Sequence, residues 1–223
     1  MRPGFGRNFR LILLSLFFIS GCSVSLFNGY QKDPGYTGEA PMSWFKADSG
    51  HFLFHTRIDI MKNHLSGLMV IKPMTGETYR VVFITEVGLK IFDMEFFADK
   101  PAKVHYIMEA MDRNVIVNTL TNDIGLILMT RISSQKPSVF RDKSTRKIAF
   151  RYRDKGRKYY YHVSGEDGRF YKVVQKAGMA RKVYADLYGN EVSGIDSIKI
   201  SHFAVKLSIN LYRIIEDSNH AAD

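Results

Sequence analysis

From Phe52 to Ile60 the residues alternate in character: Phe52, Phe54, Thr56, Ile58 and Ile60 against Leu53, His55, Arg57 and Asp59. A period of two sends one set to each face of an extended chain, so this stretch reads as a half-buried strand. The same period returns at Leu65–Lys72, Tyr79–Ile84 and Leu89–Phe97, separated by short turns. Centring the turn Pro73-Met74-Thr75-Gly76-Glu77 on Thr75 sets Ile71 opposite Tyr79 and Met69 opposite Val81, which leaves one apolar face. In the next hairpin, Glu86 and Val87 as the two central residues set Val81 against Phe92 and Tyr79 against Met94. Arg80 then meets Asp93 on the other side, an ion pair of favourable sign. An exposed pair contributes only about 0–1 kcal/mol, so it specifies register more than stability. Apolar residues on one face and an Arg/Asp pair on the other describe a sheet wetted on one side.

Val104–Met108 is a fifth short strand. Asp112 then reads as an N-cap, with Val115, Ile116, Thr119 and Leu120 at helical spacing. Asp123 is placed to cap a second helical piece carrying Ile124, Leu126, Ile127 and Leu128. A helix set between two groups of strands covers one face of a curved sheet. After a linker over Ser133–Lys143, strands resume at Ile148–Arg153, Lys158–Val163, Phe170–Lys176 and Lys182–Leu187, and Glu166-Asp167-Gly168 signals a tight hairpin. The stretch Ile198–Tyr212 reads as one last strand with a bulge near Ser201-His202, and residues 216–223 as a disordered tail. The fold class is mainly β (α+β).

The front of the chain is of another kind. Arg2, Arg7 and Arg10 precede an uncharged apolar run, Leu11–Ile19, and two small residues precede Cys22. That is the plan of a secretory signal, and the run is about half the roughly 20 residues of a spanning helix. Ile19-Ser20-Gly21-Cys22 resembles the lipobox of bacterial lipoproteins, which implies a signal peptide over 1–21, cleavage before Cys22, and acylation of its thiol and amine. Cys22 is the only cysteine, so the exported body has no disulfide. Residues 22–44, with Gly29, Pro34, Gly35, Gly38 and Pro41, read as the acylated cysteine and a flexible tether. The residue after the cysteine is Ser23, not an acid. By resemblance to lipoprotein sorting rules this implies the outer membrane, facing the periplasm. Removing three leader arginines takes the net charge from +10 to +7. Between Arg141 and Lys182 fourteen Lys/Arg stand against four Asp/Glu, while the rest of the mature chain has fifteen against eighteen. Such a cationic block suits anionic headgroups or an acidic partner. Export removes the chain from nucleic acid.

Strands, a covering helical segment and further strands behind a lipobox resemble the LolA/LolB family of periplasmic lipoprotein carriers and receptors. The resemblance spans roughly residues 45–212 in pattern, within a half-barrel domain expected over 45–215, and is strongest from Gly67 to Phe97. It implies an incomplete antiparallel β-barrel, a half-barrel whose concave face is covered by a short helical segment and receives acyl chains. The run from Tyr79 to Leu89 resembles the membrane-receptor member's third strand, apolar-tipped loop and fourth strand. A membrane-contact loop at Val87 and Gly88 is thereby implied, with Glu86 where that family tends to have proline. A LolA-like soluble carrier is the implied partner, docking through Arg141–Lys182, and the chain is expected to be a monomer.

On the residues alone, Phe54, Ile58, Met69, Val81, Phe83, Phe92, Met94 and Phe96 line one concave apolar face. Such a face either binds hydrocarbon, at about 0.8 kcal/mol per buried methylene, or is the core beneath the helix. Both alternatives stand at this point. The histidines at 51, 55, 64, 105, 162, 202 and 220 include no helical metal spacing. Asp93 and Glu95 share a face, but Arg80 is the expected partner of Asp93 and Glu95 is expected in solvent. There is no G-x-S-x-G serine and no phosphate-cradling loop, and acylation consumes Cys22. No enzyme, metal or cofactor is expected. The leading function is a lipoprotein that accepts acyl chains and delivers them to the membrane; the alternative is a tethered interaction module of the envelope.

Overall fold

The alternating segments fold into one antiparallel sheet wrapped round a helix. The computed structural model describes residues 29–46, 50–60, 62–130, 132, 135–145, 147–164, 168–178, 180–190, 192, 194–204 and 206–215. The expected signal peptide, Cys22 and the 216–223 tail lie outside the described residues, as does most of the Glu166-Asp167-Gly168 turn. The strands are β1 (Tyr30–Lys32), β2 (Phe52–Ile60), β3 (Asn63–Pro73), β4 (Tyr79–Thr85), β5 (Lys90–Phe96) and β6 (Lys103–Ile107). After a 3-10 turn, Glu109–Met111, comes α1 (Asn114–Leu128). Then follow β7 (Ser138–Asp142), β8 (Ile148–Asp154), β9 (Arg157–Val163), β10 (Phe170–Ala177), β11 (Ala180–Asn190), β12 (Gly194–His202) and β13 (Leu207–Ile214). Among the described residues these thirteen strands form a single sheet in the order β1-β7-β8-β9-β10-β11-β12-β13-β2-β3-β4-β5-β6. β1 and β6 are its two edges and do not pair, so the sheet is an incomplete barrel. The half-barrel covered by a helix is the observed architecture.

The helix lies on the apolar face. Leu120, Ile124, Leu126, Ile127 and Leu128 are buried against the inward residues of the sheet. Tyr161 on β9 donates its hydroxyl to the Leu126 carbonyl at 2.8 Å. α1 is one continuous helix, not two pieces. Its N-cap is Arg113, without a side-chain cap bond, so neither Asp112 nor Asp123 caps a helix. Asp112 ends the 3-10 turn. Asp123 is fully buried in the middle of α1.

Both early hairpins have the expected faces and a register displaced by two. β3 and β4 pair Ile71 with Val81 and Met69 with Phe83. β4 and β5 pair Tyr79 with Phe96, Val81 with Met94 and Phe83 with Phe92. The cause is turn chemistry. The β3–β4 turn is closed by Met74 N–H donating to the Thr78 carbonyl, with Gly76 and Glu77 at positive φ, and so it centres on Gly76. The β4–β5 turn holds three residues between Thr85 and Leu89, with Gly88 at φ 83 and a bulge after Phe83. A three-residue loop with a left-handed residue at its third position is the common alternative to the two-residue turn, which Val87 does not suit. A shift of two keeps every side chain on its face.

Three further expectations are corrected. Tyr30–Lys32, inside the expected tether, pairs with β7 as an edge strand, and Trp44 at the tether's end is a core residue. The expected 133–143 linker contains β7. The last stretch is two antiparallel strands, β12 and β13, turning at Phe203 and its neighbours, so the change of apolar parity marks a reversal and not a bulge. The outer face of β2–β4 is also less wet than expected, because Leu53, Leu68, Val70, Val82 and Ile84 sit half-buried on it.

Candidate functional site

All eight expected groove residues fall on the covered face in one apolar cluster. Phe54, Ile58, Val81, Phe83, Phe92 and Met94 are 0% exposed, and Met69 and Phe96 are 1% exposed. β2, β3, β4 and β5 bring them together across adjacent strands: Phe54 opposite Met69, Met69 opposite Phe83, and Phe83 opposite Phe92 with ring centroids 5.6 Å apart. They are solvent-excluded, and none lines a described cavity.

The space next to this cluster lies at the C-terminal end of α1. A cavity of about 430 Å³ is lined there by Met42, Phe45, Tyr79, Leu128, Met129 and Tyr152, among others. That size is within the roughly 300–1,000 Å³ of small-molecule sites. Phe45, Tyr79, Leu128 and Tyr152 belong at the same time to the apolar core, so the cavity adjoins the interior directly. Met129 ends the helix in the left-handed conformation, φ 63, and turns the chain around the cavity. Tyr79 donates its hydroxyl to the Phe45 carbonyl at 3.4 Å, and burial pushes that phenol above its usual range. Met42 reached this site from the stretch expected as tether, just ahead of Phe45; the dense Met42-Ser43-Trp44-Phe45 run was the available signal.

The expected contact loop projects. Val87 is 82% exposed and Leu89 is 62% exposed. Three bonds set its shape: Gly88 N–H to the Thr85 carbonyl at 2.9 Å, Thr85 N–H to the Leu89 carbonyl at 2.8 Å, and Leu89 N–H to Thr85 Oγ1 at 3.0 Å. Glu86 does not share the tip. Its carboxylate accepts a bond from Ser66 at 3.0 Å and faces His55 at 3.4 Å, which draws the charge back over β2 and β3.

Arg80 and Asp93 meet as expected, though diagonally, because Arg80 is directly opposite Glu95. Arg80 Nε donates to Asp93 Oδ1 at 2.5 Å and Nη2 to Oδ2 at 2.9 Å, and this bidentate bond lowers the Asp93 carboxyl below its ordinary range. Glu95 is not left to solvent: His105 Nε2 is 2.9 Å from its Oε2.

One polar cluster interrupts the apolar helix–sheet contact, and the sequence reading missed it. Asp123 Oδ2 lies 2.6 Å from His202 Nε2, with the two side chains 0% and 7% exposed. Asn122 accepts from Arg157 at 2.8 Å and from Gln175 at 3.0 Å. Burial raises the Asp123 carboxyl although His202 and Asn122 pull it down. The available signal was an acid between Leu120 and Ile124 on the apolar side of the helix. Among the described residues, no group of three or more His, Cys, Asp or Glu is placed to hold a metal ion, and no helix is long and apolar enough to cross a membrane.

No protein-family model and no curated protein matches the sequence. Among solved structures, the chain is similar to a LolA superfamily protein, NE2245, from Nitrosomonas europaea, at 11% identity, over 77% of this chain and 86% of that one, with a TM-score of 0.49. It is also similar to a putative outer membrane lipoprotein-sorting protein domain from Vibrio parahaemolyticus, at 11% identity, over 82% and 89% of the two chains, with a TM-score of 0.44.

Proposed function

We propose that this chain is a non-enzymatic outer-membrane lipoprotein of LolB-like type, held facing the periplasm by acylated Cys22. It takes an acyl chain of a lipid or lipoprotein from a LolA-like soluble carrier and delivers it to the membrane, acting as a monomer. The observation that carries the reading is the cavity at the end of α1, walled in part by residues of the apolar core beneath an unclosed sheet. An acyl chain entering there gains about 0.8 kcal/mol per methylene removed from water. Methionines in the cavity wall, Met42 and Met129, can repack around chains of different shape. Reaching Phe54, Phe83 and their neighbours requires α1 to give way. The exposed Val87 tip, with Glu86 drawn back, fits contact with the bilayer during delivery.

Binding of a fluorescent fatty acid to the purified protein and its displacement by unlabelled fatty acid, together with organic extraction for co-purifying lipid, test acceptance. Binding in neither assay refutes it. Val87→Glu should slow delivery to liposomes and leave acceptance unchanged. Cys22→Ala should move the protein to the soluble fraction and abolish palmitate labelling. The tethered interaction module is favoured by a different observation: all eight groove residues are 0–1% exposed, so the interior is already filled by the protein's own side chains. A chain that binds no lipid and keeps its membrane attachment is that module.

A further inference from the structure

Strand register assigns every turn to one of two ends of the sheet. β4 ends at Thr85 opposite Gly67, β2 ends at Ile60 opposite Asn63 and Leu207, and β12 ends at His202 opposite Val183. β10 ends at Ala177 opposite both Ala180 and Arg157, and β8 ends at Asp154 opposite Arg157. Followed from strand to strand, these antiparallel pairings place the turns 85–89, 203–206, 177–180 and 154–157 at the same end. Two of these turns hold large apolar side chains in solvent: Val87 at 82% and Leu89 at 62% exposure in one, Phe203 at 52% in the other. Phe203 is held in place by its N–H bond to the Lys182 carbonyl and by its ring against Tyr184, centroids 5.3 Å apart.

The same end carries a row of cations. On the face away from α1, Arg153 is directly opposite Lys158, and Lys158 directly opposite Lys176. Like charges opposed across strands destabilise a sheet. Arg153 and Lys158 have no acidic partner among the described residues. The fold leaves the repulsion between Arg153 and Lys158 standing, and an anionic surface laid against them removes it. Apolar tips at the same end as basic side chains suit one surface chemistry, a bilayer with anionic headgroups, where hydrocarbon receives the tips and phosphates the cations.

We infer that this end of the sheet docks on an anionic phospholipid bilayer, with Phe203 entering beside Val87 and Leu89 and the Arg153–Lys158–Lys176 row over the headgroups. The inference rests on the reading that the protein works at a membrane, and it adds a second wedge and an electrostatic component to the loop. The test is flotation of the mature chain, residues 22–223 carrying Cys22→Ala, with vesicles of phosphatidylcholine, with and without phosphatidylglycerol. The protein binds the anionic vesicles preferentially, and salt weakens that binding. Each surface cation is worth about fivefold in partitioning onto an anionic leaflet, so Arg153→Gln with Lys158→Gln lowers it about 25-fold. Phe203→Ser lowers binding to the anionic vesicles as well, while Lys100→Gln with Lys103→Gln, at the opposite end, changes nothing. The double Gln variant folds at least as well as the parent, since it removes a repulsion, and circular dichroism checks this. Equal binding to both vesicle types, no vesicle binding (as expected if the row serves an acidic protein), or parental binding by the double Gln variant overturns the inference. Fatty-acid displacement by the same proteins reads the interior separately. Loss of displacement with vesicle binding intact refutes acceptance and leaves docking standing, and the converse refutes docking alone.

Discussion

Replacing His202 by leucine should weaken the fold by several kilocalories, and the loss should depend on pH. His202 is the main partner of Asp123, at 2.6 Å, and neither side chain has appreciable access to water. Removing one partner of a buried, hydrogen-bonded ionisable pair typically costs about 3–5 kcal/mol, because a buried carboxylate is left without compensation. In a domain of this size 1 kcal/mol shifts Tm by about 2–4 °C, so the midpoint should fall by roughly 10 °C at pH 7. Asp123 already has a carboxyl raised above 3.8 by burial, and losing His202 raises it further. For an acid whose folded value is the higher one, the native state binds more protons than the unfolded state, so stability falls as pH rises from about 3.8 through the folded value. The deficit of His202→Leu relative to the parent should therefore shrink on acidification, as Asp123 becomes a neutral donor. Urea unfolding of both proteins at pH 7 and pH 5, followed by far-ultraviolet circular dichroism, measures it. The double change Asp123→Leu with His202→Leu should cost less than His202→Leu alone, because it leaves no orphaned charge. A deficit below about 1 kcal/mol, or one identical at the two pH values, would refute a buried Asp123 carboxylate that depends on His202.

Gly67 faces the β4 backbone so closely that a Cβ there would lie 2.0 Å from the Ile84 carbonyl oxygen; Gly67→Ala should cost about 1–3 kcal/mol or more in a chemical melt. Phe83→Ala, at a fully buried position, should cost about 3–5 kcal/mol by the same measurement. Asp93 has its carboxyl lowered by Arg80, so the pair contributes stability above the unfolded value of 3.8 that is lost as pH falls through the folded one. Arg80→Met should therefore flatten the acid limb of the stability profile, and an unchanged limb would show that the pair contributes nothing.

The local pattern was enough to place most strands and to say which residues face inward. Phe54, Ile58, Met69, Val81, Phe83, Phe92, Met94 and Phe96 were all readable as one apolar face, because side chains alternate with period two whatever the partner strand is. The same period hides register. A slip of two leaves parity untouched, so the pairings at Val81 and Tyr79 depended on how many residues each turn holds, which Gly76 and Gly88 decide through positive φ. Short strands with few apolar residues were also illegible: Tyr30–Lys32 and Ser138–Asp142 become strands by pairing with each other across more than a hundred residues.

What the sequence by itself determined is the class of the protein, a mostly β body with a basic second half, because composition, parity and turn residues are properties of neighbours along the chain. Only the tertiary structure decided that Asp123 meets His202 seventy-nine residues later, that the interior is filled at Phe83 while a cavity remains at Met129, and that Val87 and Phe203 stand at one end of the sheet. Those facts depend on which strand lies beside which and where the helix is laid. Long-range pairing is specified by the packing of the whole chain, and no short stretch of it carries that information.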